Sequence, residues 1–188
     1  MGLFLCQPQS SEIVLSYVAD SSEATGLKWA TPAGSDSYTS LASGSLNGLS
    51  TLDLQSISGS YRKLSFQISD YSMSTNTNID IRLNNDSGTN YSYGQIYNST
   101  SIYKEINQTS IYTAANNSAE TGGQIIFDIE NYATACKHAG IAYNFADDSG
   151  NWNFTHWGHN NSAAINRIQI VLQNGNFDAG NYVLYGVK

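Results

Sequence analysis

The 188 residues of the chain suit one domain, or one domain with a tail. Charged residues make up only 12% of the chain, and 8 Lys and Arg against 15 Asp and Glu give a net charge of −7. Because such a chain has no cationic field to neutralise phosphates, nucleic-acid binding is disfavoured.

Residues 1–37 differ in character from the rest of the chain. Both prolines, Pro8 and Pro32, fall in this segment, and residues 33–37 form a linker of small, turn-forming residues. We therefore predict an extended attachment and oligomerisation segment over 1–37 and a β-sandwich domain over 38–188. The apolar start is too short for a secretion signal, and no run approaches the roughly 18 apolar residues of a membrane span. We expect no membrane insertion, and we expect both Cys6 and Cys136 to be free thiols.

From residue 38 onward the sequence alternates between apolar and polar residues in short runs separated by Gly, Asn, Asp and Ser. The alternation predicts buried faces at Leu64, Phe66 and Ile68 in one strand and at Ile79, Ile81 and Leu83 in the next. Roughly nine or ten such strands favour an all-β fold, a two-sheet β-sandwich of jelly-roll-like form. The predicted strands cover residues 41–46, 51–57, 61–70, 78–83, 91 onward, 124–129, 140–145, 152–157, 165–172 and 181–187.

Two local features qualify this pattern. Residues 84–88 form an Asx- and Gly-rich turn, so we expect the strand from Tyr91 to pair back with residues 78–83 as a hairpin. The strands at 124–129 and 140–145 are predicted to pair with each other. Ile129, Tyr132, Ala133 and Cys136 also fit one helical face, so a single short helix is allowed there.

The chain carries little that points to catalysis. It has three histidines, at 138, 156 and 159, and its serines lie in no Gly-x-Ser-x-Gly elbow, so we expect neither an enzyme nor a cofactor. His156 and His159 face opposite sides of a strand, which argues against a shared metal site. Asp147 and Asp148 are weak calcium candidates in a stretch that a polar hairpin turn explains equally well.

Aromatic residues are the most informative feature, with 13 Tyr and 3 Trp in a chain rich in Ser, Gly and Asn. This is the composition of recognition surfaces, where rigid rings supply contact area and small polar residues adapt their hydrogen bonds. Flat aromatic faces beside amides suit sugar rings, although Trp and Tyr on sandwich strands also serve as core or subunit-interface residues. The candidate ligand-binding residues are Tyr91, Tyr93, Tyr97, Tyr103, Trp152, His156, Trp157 and His159.

Three stretches of the chain resemble segments of tailed-bacteriophage fibre and appendage proteins. Residues 16–34 resemble the segment that precedes the C-terminal domain of such proteins, residues 81–93 resemble one of their hairpins, and residues 176–187 resemble their C-terminal ending. The resemblance implies a virion surface domain, made in the cytoplasm of the host bacterium and usually a trimeric β-sandwich at the distal end of a fibre. It implies host attachment or structural display, with no catalytic motif.

On this interpretation the chain is a homotrimer that binds a bacterial surface glycan and contacts other virion proteins through its N-terminal segment. Leu27 and Trp29, too apolar for a free linker, would pack at the threefold base. Two alternatives stay open: a structural capsid or tail decoration protein that binds only virion partners, and a carbohydrate-binding module of a secreted bacterial protein.

Overall fold

The computed structural model describes residues 37–97, 101–116, 118, 121–145 and 152–188. These residues contain twelve β-strands and no helix, so the predicted all-β class is confirmed. The strands are β1 (Tyr38–Ser45), β2 (Thr51–Leu54), β3 (Lys63–Met73), β4 (Thr77–Leu83), β5 (Tyr91–Tyr97), β6 (Ser101–Gln108), β7 (Ile111–Asn116), β8 (Gly123–Glu130), β9 (His138–Phe145), β10 (Trp152–His159), β11 (Ile168–Leu172) and β12 (Phe177–Val187).

The strands form two antiparallel sheets, which confirms the β-sandwich. The larger sheet has eight strands in the order β1-β12-β3-β8-β9-β10-β5-β6, and the smaller has four in the order β2-β11-β4-β7. The faces that the sheets turn toward each other supply one buried apolar core, which includes Phe66 from β3 and Ile81 from β4. All six core positions predicted from the alternation in β3 and β4 are buried. Period-two alternation was therefore a reliable guide to the buried face of both strands.

Pairing between strands was harder to predict than the strands themselves. The turn at 84–88 forms, with Asn84 and Asn85 in the left-handed region at φ 55° and 58°, but the predicted hairpin is wrong. Strand β4 pairs with β11 and β7, whereas β5 crosses to the other sheet and pairs with β10 and β6. The predicted pairing of β8 with β9 is confirmed.

The allowed helix near residue 129 is absent, and residues 131–136 form turns and bends instead. Ile129 and Tyr132 are buried, as a helical face would require. Ile129, however, belongs to β8, and Asn131 takes a positive φ of 51° that ends the strand in a turn. Cys136 is disulfide-bonded, so the prediction of a free thiol is wrong at this position. Cys6 lies outside the described residues.

The unequal widths of the two sheets set up the candidate site. Four strands cannot cover the inner face of eight, so part of the larger sheet extends beyond the smaller one. Strands β5 and β6 lie at one end of the larger sheet, and β7 is the edge strand of the smaller sheet on the same side. The inner face of β5 and β6 is therefore available to line a groove beside β7.

Candidate ligand-binding groove

Side chains on the inner face of the larger sheet change from apolar to polar toward β6. One row of directly opposed residues runs through Ile129, Gly140, Trp157, Tyr93 and Glu105. The neighbouring row begins with Phe127 on β8 and ends with Gln95 and Tyr103 on β5 and β6. The same face thus serves as hydrophobic core near β8 and as a wall of Tyr, Gln and Glu at β5 and β6.

A groove of about 890 Å³ lies between this wall and the smaller sheet. Tyr93, Tyr97 and Tyr103 line one side, and Tyr112 of β7 lines the other. Asp80 and Arg82 of β4, Gln173 after β11 and Asn153 of β10 contribute polar groups. The groove therefore brings three of the eight predicted ligand-binding residues together and adds a fourth tyrosine.

Hydrogen bonds fix the polar walls of the groove. The Nε2 atom of Gln95 donates to the carbonyl oxygen of Tyr112, at 3.1 Å, and to the hydroxyl oxygen of Thr155, at 2.9 Å. The bond to Tyr112 connects the wall of the larger sheet to the edge strand of the smaller one, and the bond to Thr155 holds Gln95 against the neighbouring strand β10. On the opposite side Asn78 Nδ2 donates to Gln173 Oε1 at 3.1 Å, and Gln173 Nε2 donates to Asp80 Oδ2 at 3.0 Å. A site held in this way is formed before any ligand arrives.

Two carboxyl groups give the groove its electrostatic character. Burial raises the pKa of Asp80, against the opposing effect of the hydrogen bond from Gln173. Burial also raises the pKa of the Tyr93 hydroxyl, and the nearby charges of Glu105 and Asp80 raise it further. Tyr93 therefore stays protonated and can donate a hydrogen bond inside the groove. With Arg82 as the one cation among the described residues that line it, the groove offers acceptors and aromatic faces rather than a positive field.

Three of the predicted ligand-binding residues are buried away from the groove. Trp157 is 0% exposed, and its ring stacks on Phe127 with 4.9 Å between ring centroids. Tyr91 stacks on His159 at 4.5 Å, and its hydroxyl donates toward the backbone oxygens of Leu83 and Asp86. Because the faces of these rings are stacked on other side chains, none is free to stack on a sugar ring, and we leave them out of the proposed glycan-binding surface.

The remaining two predicted residues, Trp152 and His156, are exposed on the outer face of the larger sheet. His156 and His159 lie on opposite faces of β10, as their spacing predicted. The outer face also carries a row of directly opposed, mostly apolar side chains that we call the outer row. It consists of Ile126, Tyr143, Phe154, Ile96 and Ile102 on β8, β9, β10, β5 and β6.

Several residues that line the groove were not predicted from the sequence. Asp80 and Arg82 are the polar residues that alternate with the buried apolar residues of β4. Any strand with only one face in the apolar core shows such alternation, so the pattern alone did not indicate a site. Tyr112 lies in β7, a strand that was not predicted. The available signal was the polar alternation in β4, but only the pairing of β4 with β7 places Asp80 beside Tyr112.

Other predictions fall outside what the structure describes. Leu27, Trp29, Asp147 and Asp148 all lie outside the described residues. Within the described ranges no group of three or more His, Cys, Asp or Glu side chains is arranged to hold a metal ion. The same residues include no helix long and apolar enough to cross a membrane. In comparisons with known proteins, no family model matches the chain, and neither does any curated protein.

Proposed function

We propose that this chain is a bacteriophage virion surface domain that attaches to a glycan of the bacterial surface through the tyrosine groove, without catalysing a reaction. The observation that carries the proposal is the gathering of Tyr93, Tyr97, Tyr103 and Tyr112 in one groove with amide and carboxyl groups. The resemblance of three stretches to phage fibre proteins supplies the biological setting.

The chemistry of the groove suits a sugar better than an apolar ligand or an anion. A pyranose ring has C–H faces that pack on aromatic rings, and its hydroxyls pair with groups such as Asn153 and Gln173. The carboxyl groups of Asp80 and Glu105 accept hydrogen bonds from sugar hydroxyls and repel anionic groups. A neutral or amino-substituted glycan is therefore favoured over a polyanionic one.

The test is binding of the full chain to an array of bacterial surface polysaccharides, followed by calorimetry with the best ligand. We expect the double substitution Tyr97→Ala and Tyr103→Ala to weaken binding at least about tenfold, because each removes a stacking face and about 1.4 kcal/mol corresponds to tenfold in Kd. Tyr38→Ala is the matched control, since Tyr38 is an exposed tyrosine, at 59%, on β1 at the far edge of the sheet. Unchanged affinity in the double variant would overturn the groove assignment.

The second candidate function is a structural virion protein that binds only other virion components. The outer row favours it, because exposed contiguous apolar side chains mark protein contacts. The glycan array separates the two functions: a protein that binds no polysaccharide but retains its apolar outer face fits the structural function.

A further inference from the structure

Two histidines that are distant in sequence meet directly in the larger sheet. His138, the first residue of β9, lies opposite His159, the last residue of β10. Both side chains are on the inner face, and His138 and His159 are only 3% and 1% exposed. Directly opposed residues in an antiparallel pair have Cβ atoms about 4.5–5.5 Å apart, so the two imidazole rings are neighbours.

The Nε2 atom of each ring lies within hydrogen-bond distance of an acceptor. His138 Nε2 lies 3.1 Å from the carbonyl oxygen of Ala163, which can only accept, so Nε2 carries the proton. His159 Nε2 lies 3.0 Å from Oδ2 of Asp86. Burial acts to raise the pKa of Asp86, but hydrogen bonds from His159, Gly88, Asn90 and Asn161 outweigh it and lower the pKa to about 2. Asp86 is thus an ionised acceptor, and His159 donates to it through Nε2.

The Nδ1 atoms of both rings are left without a hydrogen-bond partner among the described residues, although both atoms are buried. A buried polar atom without a partner costs about 1–3 kcal/mol, so a pair of them calls for an explanation. In a neutral imidazole protonated at Nε2, Nδ1 presents a bare lone pair, which is a metal ligand.

We propose that His138 and His159 together bind one divalent transition-metal ion through their Nδ1 atoms. Metal-binding histidines characteristically donate their other ring nitrogen to a carboxylate or a backbone carbonyl, and these two use one of each. Imidazole ligands suit Zn²⁺ and Cu²⁺, and Cu²⁺ binds a given nitrogen site more tightly than Zn²⁺. Metal–nitrogen bonds of about 2.0–2.1 Å also need less room than a bridging water at about 2.7–3.2 Å.

The surroundings are compatible with a partly hydrated ion. A pocket of about 340 Å³ lies against both histidines and is also lined by Asn90 and Asn160. It leaves room for water molecules beside the two histidines. The stacked ring of Tyr91 restrains His159 from one side, and the charge of Asp86 behind His159 favours a cation. Among the described residues that line the pocket, the exposed Lys137 is the one Lys or Arg, and its charge opposes the ion.

The first measurement is calorimetric titration of the untagged full chain with CuCl₂ and then with ZnCl₂. We expect one ion per chain, bound more tightly for Cu²⁺. His138→Gln and His159→Gln each remove Nδ1 but keep an N–H donor for Ala163 or Asp86, so the fold is expected to persist, and each should weaken binding at least tenfold. His156→Gln is the matched control, since His156 is exposed on the opposite face of β10, and it should leave binding unchanged.

Electron paramagnetic resonance of the Cu²⁺ complex supplies an independent readout. The wild-type spectrum should show coupling to two imidazole nitrogens, and the His138→Gln spectrum to one. If His159→Gln fails to fold, His138→Gln alone decides the matter. The proposal is overturned if the wild type binds no ion, since the two Nδ1 atoms would then hold only a trapped water or nothing. It is also overturned if binding survives both Gln substitutions, whatever the His156→Gln variant does.

Discussion

Trp152 and Trp157 are five residues apart on one strand and therefore lie on opposite faces of the larger sheet. Trp157 packs within the core against Phe127, whereas Trp152 is exposed on the outer face. We expect Trp157→Ala to lower the free energy of unfolding by about 3–5 kcal/mol, through lost burial and a residual cavity. Trp152→Ala should lower it by less than about 1 kcal/mol. Urea denaturation measures both, and equal losses would contradict the assignment of Trp157 to the core.

Asp86 is one of the residues that couple stability to acid pH. Its folded pKa of about 2 lies below the usual value of 3.8, so its ionised form contributes stability that is fully present above pH 3.8 and is lost as the pH falls toward 2. The difference corresponds to about 2 kcal/mol. We expect Asp86→Asn to flatten the fall in unfolding free energy between pH 4 and pH 2, measured by denaturant titration at each pH. A wild-type slope retained in Asp86→Asn would assign the acid sensitivity to other carboxyl groups.

At the scale of elements, the close contact of β9 with the Trp157 indole depends on a glycine. Gly140 lies opposite Trp157, and a Cβ atom at this position would overlap the Asp128 carbonyl oxygen and come within 2.6 Å of the indole. Because backbone and a fully buried ring cannot both move away, Gly140→Ala should destabilise the protein by about 1–3 kcal/mol. Gly94→Ala is the control, since its Cβ would meet Tyr103 O at an ordinary 3.6 Å. Similar melting temperatures for the two variants would contradict the prediction.

The same scale shows why sequence analysis predicted strands better than their partners. The buried positions of β3 and β4 follow from which residues alternate along each single strand, and this order can be read from the sequence. The turn at 84–88 forms with its expected positive φ values, but turn residues do not specify to which sheet β5 belongs. Strand β6 was missed because most of its side chains are exposed, so it shows no clear alternation between buried and exposed positions.

For the whole molecule, the site follows from the mismatch between eight strands and four. Tyr93, Tyr97 and Tyr103 were identified as ligand-binding candidates by residue type, but only the register of β5 with β6 and the position of β7 place them in one groove. His138 and His159 illustrate the same limit, since their contact depends on the pairing of β9 with β10. Sequence reasoning could propose aromatic recognition, whereas the three-dimensional contacts decide which rings are open and which are core.

The outer row leads to a prediction about assembly. Its members are uncharged, and Ile102 is 83% exposed, in a chain whose net charge of −7 makes separate copies repel one another. Association through this neutral apolar face would bury the row and keep charged groups out of the interface, so we expect self-association. The resemblance to phage fibre proteins implies that the assembly is a homotrimer. Light scattering coupled to size-exclusion chromatography should then give a mass near three times 20.4 kDa.

Substitutions in the outer row test whether this face carries the assembly. Ile96→Lys and Tyr143→Lys should each shift the mass toward one chain, because an unpaired charge in an apolar interface costs several kcal/mol. Tyr38→Lys, on β1 at the opposite edge of the sheet, is the control and should leave the mass unchanged. A monomeric wild type would refute self-association, and an oligomer that survives both outer-row substitutions would assign the interface to another part of the chain.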